Sequence, residues 1–131
     1  ILLVDERSEI AAVHAGVAQL NVGIGTDIIS NCTKSYAFSY GIRSMRPDVI
    51  VTDELMGEED FEAVADAIAG GVAVIASVHA STPEELFVRR GFKELYDKKI
   101  ITRYVFLSDR NGPGTYENVY DADMKRLYLA S

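Results

Sequence analysis

The stretch that most constrains this chain is Val49-Ile50-Val51-Thr52-Asp53-Glu54. Its run of β-branched residues can pack on both faces, as a strand inside a covered parallel sheet must. The run stops abruptly in two adjacent carboxylates. A parallel sheet presents its ligand crevice outside the carboxyl ends of its strands, so Asp53 and Glu54 stand where ligands bind. An acidic pair at that point indicates Mg2+, a phosphate or an activated water.

The same design opens the chain. Ile1 to Val4 is a continuous apolar run, followed by Asp5-Glu6-Arg7-Ser8-Glu9. Because the chain begins inside this strand, further residues are expected upstream of Ile1. Residues 10 to 25 have no sustained period and contain Gly16, Gly23 and Gly25, which predicts a loop or small hairpin. A helix is predicted from about Asp27 or Asn31 to Arg46, with Phe38, Ile42 and Met45 as its apolar stripe. Gly41 weakens it, and Pro47 ends it by disfavouring helical geometry at Arg46.

Glu58 to Ala69 is the clearest helix. Phe61, Val64, Ala65 and Ile68 recur at helical spacing, acids occupy its first turn, and Gly70-Gly71 ends it. Val72 to Ala76 is a third apolar strand that leads to His79. Thr82, Pro83 and Glu85 form a capping-box start for a short helix, interrupted at Gly91. Another turn or two of helix is expected within residues 92 to 100. Thr102–Leu107 and Tyr116–Tyr120 read as an antiparallel pair of strands around Asn111-Gly112-Pro113-Gly114, with a short sixth strand over Lys125–Leu129.

Strands alternating with helices predict an α/β fold: an open, mostly parallel sheet flanked by helices and closed by a C-terminal antiparallel hairpin. A length of 131 residues suits a single domain. The net charge of −7 argues against a broad nucleic-acid-binding surface. One cysteine, Cys32, allows no internal disulfide and makes a reducing compartment the default. No apolar run approaches the roughly 18 residues of a membrane helix. His14 and Cys32 have no partners at zinc-ligand spacing.

Three strand ends therefore deliver Asp5-Glu6, Asp53-Glu54 and His79 to one edge of the sheet. Acids after strands also serve as helix caps or solvated turn residues. Two pairs together with a histidine favour a Mg2+ and phosphate crevice, one carboxylate orienting metal-bound water and another polarising the attacking water. Among the arginines, Arg7 and Arg43 are preferred as phosphate contacts because each lies beside an acidic element.

Two families share this pattern. Pro47 to Asp53 resembles the phosphoacceptor strand of a response-regulator receiver domain, with Asp53 as the phosphorylation site. That pattern also needs a lysine at the end of a fifth parallel strand, where this chain has Ser108-Asp109-Arg110 and a Gly-Pro-Gly turn. The closer resemblance is to the stage III sporulation protein AA family, related to the type II and type IV secretion ATPases. It is carried in order by Val4-Asp5-Glu6-Arg7-Ser8-Glu9-Ile10-Ala11, Val22-Gly23 with Thr26-Asp27, Cys32 and Lys34, Ile42-Arg43-Ser44-Met45, Val51-Thr52-Asp53-Glu54, Ala76 with His79, and Gly112-Pro113-Gly114-Thr115.

The resemblance implies a RecA-like P-loop ATPase core with ATP and Mg2+ as cofactors. Asp5, Glu6 and Glu9 would form its acidic box, Asp53 would hold Mg2+ through water, and Glu54 would activate the attacking water. His79 would sense the γ-phosphate, and Arg43 would reach a phosphate on its own or a neighbouring subunit. It also implies a homo-oligomeric ring on the cytoplasmic face of a membrane, working with a membrane-embedded channel or secretion component. No Gly-x-x-x-x-Gly-Lys-[Ser/Thr] loop occurs in these residues. The chain then corresponds to the C-terminal part of such a core, with very weak nucleotide affinity alone.

Overall fold

The computed structural model describes residues 1–127. The chain divides into two compact units, Ile1–Phe92 and the residues from Lys93 onward.

The first unit is a parallel sheet with helices. Its strands are β1 (Leu2–Asp5), β2 (Asp27–Ser30), β3 (Val49–Thr52) and β4 (Ala73–Ala76), in the order β2-β1-β3-β4. Leu2 pairs with both Asp27 and Ile50, which sets β1 and β3 side by side at the centre. β1 is buried along its whole length, as its unbroken apolar run requires. β4 lies at the edge, which leaves Ile75 63 % exposed despite an apolar sequence.

β2 corrects the predicted helix start. Asp27-Ile28-Ile29-Ser30 is a strand, and α1 runs only over Lys34–Met45. Thr33 caps it, its hydroxyl accepting from the Tyr36 amide. The buried face is Lys34, Ala37, Phe38 and Gly41 rather than the Phe38, Ile42 and Met45 stripe. Phe38 belongs to both sets, but the rest of the buried face lies mostly toward the start of the helix, and Ile42 and Met45 are only half-buried. Gly41 is the pivot of that difference. A Cβ there would lie 2.3 Å from Leu2 Cδ2, so the missing side chain lets α1 approach β1 closely.

α2 (Glu58–Ala69) forms as predicted and packs against α1 and β4. Phe61 and Phe92 meet edge to face at 6.0 Å, and Phe87 and Phe92 at 5.4 Å, closing the core below α3 (Pro83–Phe87). The capping box at α3 is displaced: the Glu85 carboxylate accepts from the Ser81 amide at 2.8 Å, one residue before Thr82. Residues 6 to 26 contain no helix. They hold a small hairpin in which His14 and Val17 exchange two backbone hydrogen bonds at 2.9 Å. Ala15 and Gly16 both have positive φ, the geometry of a type I′ turn.

The second unit carries most of α4 (Phe92–Asp97) and an antiparallel hairpin of β5 (Arg103–Ser108) and β6 (Thr115–Asp121). Phe106 packs edge to face on Tyr120 at 5.2 Å. Burial, with the neighbouring Tyr96, pushes the Tyr104 phenol up to about 12. Of the predicted sixth strand, Lys125–Leu129, residues 128 and 129 lie outside the described residues; Arg126 forms an isolated bridge with Tyr120.

Candidate functional site

The site begins with how β1 ends. Asp5 is fully buried, and its carboxylate accepts from the backbone amides of Glu9 (2.8 Å), Ile10 (3.0 Å) and Ala11 (2.8 Å). Charge-assisted bonds of this kind are about twice as strong as neutral ones. They fold residues 6 to 11 back over the end of the strand. Asp5 is thereby engaged internally and stands apart from the other acids.

Glu6, the next residue, turns to the start of α1. There Lys34 Nζ lies 2.6 Å from Glu6 Oε2 and 3.0 Å from Asp53 Oδ1. The Lys34 side chain is only 3 % exposed, so one buried ammonium joins the ends of β1 and β3. Burial alone would lower the Lys34 pKa. The hydrogen bond to Glu6 and the negative charges of Glu6 and Asp53 outweigh it and hold the ammonium above the ordinary lysine value. The Thr52 hydroxyl donates to the Val4 carbonyl at 2.9 Å, fixing the two strand ends in register just before the acids.

Glu54 is held more loosely. Arg7 Nη2 lies 3.6 Å from its Oε2 and Arg7 Nε 3.7 Å from Glu9 Oε1; Arg7 and Glu9 are largely exposed and Glu54 is half-buried. Such pairs contribute little energy and leave the Glu54 carboxylate free to exchange partners. The loops after β3 and β4 are tied together by the Leu55 amide, which donates to the Ser77 carbonyl at 2.8 Å. Arg89 adds to the tie, donating to the carbonyls of His79 and Leu55. His79 itself is exposed on that loop. Glu6, Thr33, Ser35, Met56 and Gly57 line a cleft between the starts of α1 and α2.

Of the residues singled out from sequence, the structure brings Glu6, Asp53, Glu54 and Arg7 together. His79 lies on the adjoining strand-end loop. Arg43 does not join them. It sits in the last turn of α1, exposed, with its Nε donating to Ser39 O at 3.2 Å. Nine helical residues from Lys34 place it about 13 Å along the axis, toward the opposite edge of the sheet. Lys34 is the member that pattern reading did not select for the site. The available signal was a lysine directly after the Thr33 cap, where the helix dipole disfavours a cation.

Glu6 and Asp53 supply hard oxygen donors that converge on one cationic atom. That chemistry suits Mg2+, which takes one or two carboxylates and keeps waters or phosphate oxygens for its other positions. Among the described residues, no group of three or more His, Cys, Asp or Glu is placed to hold a metal ion.

The receiver alternative fits this geometry poorly. The order β2-β1-β3-β4 is shared with receiver domains, but no helix joins β1 to β2, and β5 pairs antiparallel with β6 instead of following β4 in the sheet.

Comparison with known proteins agrees with the other resemblance. Residues 1–127 match the family model described as Sporulation stage III, protein AA. The chain is 39 % identical over 121 residues to the stage III sporulation protein AA of Bacillus subtilis (strain 168), covering 92 % of this chain and 39 % of that protein. It thus spans well under half the length of that relative. No solved structure matches.

Proposed function

The chain belongs to the sporulation stage III protein AA family, and from that premise we propose that it supplies the acid-bearing part of an ATP-hydrolysing core. The observation that carries this reading is the joining of Asp53 to Glu6 through Lys34 at the carboxyl ends of two adjacent central strands, with Glu54 next in the chain. In this reading Asp53, with Glu6 beside it, would hold Mg2+. The metal, when bound, neutralises charge on the phosphates. Glu54, outside the Lys34 pairing and in contact only with the Arg7 guanidinium, orients the attacking water and takes its proton. Arg7 holds Glu54 and Glu9 at the rim, within reach of a phosphate. His79, on the loop tied to Leu55, reports on the terminal phosphate.

Arg43, at the far end of α1, serves a neighbouring copy in a homo-oligomeric ring rather than its own site. Such a ring would work at the cytoplasmic face of a membrane, driving or assembling a channel component. No described helix is long and apolar enough to cross a membrane. Nucleic acid is not among the partners of this reading.

The test is phosphate release from Mg-ATP by a full-length family member that carries these residues. Glu54→Gln is expected to lower kcat by at least about 100-fold while nucleotide binding persists. Unchanged turnover in that variant would remove Glu54 from the chemistry.

A further inference from the structure

Lys34 is the first residue of α1, where unpaired amides already carry positive partial charge and a cation is disfavoured. It is nevertheless buried, with 3 % of its side chain exposed, in a class of residue that is almost never buried unless paired. Helix formation does not explain that position. The pairing does: Glu6 Oε2 at 2.6 Å and Asp53 Oδ1 at 3.0 Å reach the ammonium from the ends of two different strands. Two carboxylates around one ammonium leave a net negative charge, which is the environment a divalent ion would neutralise.

We propose that Lys34 is a tethered stand-in for a divalent cation, occupying the place between Glu6 and Asp53 and excluding a free metal ion from it. This rests on the reading of Asp53 as the metal-holding carboxylate. A covalently tethered competitor acts at high effective concentration, so a divalent ion alone binds poorly until the ammonium leaves. The acids thereby keep a counter-cation at every stage, and the core stays closed to metal in the resting protein. If Lys34 were only a staple between β1, α1 and β3, its removal would loosen the fold without creating metal affinity.

The test uses the 131-residue chain and Mn2+ alone, with binding read by electron paramagnetic resonance and folding by circular dichroism. Lys34→Met is expected to bind Mn2+ at least about tenfold more tightly than the unaltered chain. Adding Asp53→Asn to it should abolish that gain. Lys98→Met removes the same charge from an exposed pair with Glu94 and should produce no gain. A Lys34→Met chain that binds Mn2+ no better than Lys98→Met overturns the proposal.

A second measurement needs no variant. Lys34 in the unaltered chain should stay protected from acetylation, read by peptide mass spectrometry, while Mn2+ binding stays weak. Tight Mn2+ binding with Lys34 still protected overturns the proposal as well. A chain that passes while the full-length protein turns over no ATP leaves the Lys34 role standing and removes only the ATPase reading. The reverse result removes only Lys34.

Discussion

At the scale of the residue, neighbouring carboxylates in one sequence have been given different work by their surroundings. Asp5 and Glu6 are adjacent and chemically alike. Asp5 lies inside a ring of three backbone amides, whereas Glu6 meets a lysine from another element. Asp5 is therefore a loop organiser, and its substitution should be felt in stability. Asp5→Asn places an amide donor among backbone donors and removes the charge that strengthens all three bonds. It is expected to cost about 2 to 4 kcal/mol of unfolding free energy, measured by urea titration. A loss below about 0.5 kcal/mol, the range of an ordinary surface substitution, would mean that Asp5 does not hold the loop as the geometry indicates.

At the scale of the element, Gly41 shows why propensity misled. In sequence it reads as a weak point in a helix. In the fold it is the contact through which α1 rests on Leu2, with Ile29 beside it. Gly41→Ala gains about 1 kcal/mol of helix propensity but forces a methyl into the fully buried Leu2 side chain. Overpacking of this kind typically costs about 1 to 3 kcal/mol. Net destabilisation of about 1 kcal/mol is expected by thermal or urea unfolding, and shortening the partner with Leu2→Val should relieve part of it. Additive effects of the two changes would show that the contact is not shared. β2 was hidden for a related reason. Four residues with only two central apolar ones, Ile28 and Ile29, carry too little pattern to be told from the first turn of a helix.

At the scale of the whole molecule, the four-stranded sheet brings the acid-bearing ends of β1 and β3 together and ties the His79 loop beside them. The loop chemistry that cradles a triphosphate is a separate requirement, and its Gly-rich lysine motif does not occur in these residues. The isolated chain is accordingly expected to release phosphate from Mg-ATP no faster than buffer in a coupled phosphate assay. Robust turnover by the chain alone would show that it holds its nucleotide by other means.

Much of the fold was legible because β3, α2 and the hairpin obey strong local rules. β-branched runs, helical spacing and turn residues act over a few positions, and their physics is local. The acids at the ends of β1 and β3 were legible for the same reason, since a strand must end before its polar residues begin. Which of those acids would face one another was not local information. The buried face of α1 was decided by the close approach of Gly41 to Leu2, and that same face turns Lys34 inward. Once Lys34 is buried, its charge needs compensation that only residues from two other strand ends can provide. The sequence by itself determined where the carboxylates stand along the chain; the packing of α1 on the sheet decided which two of them share a cation.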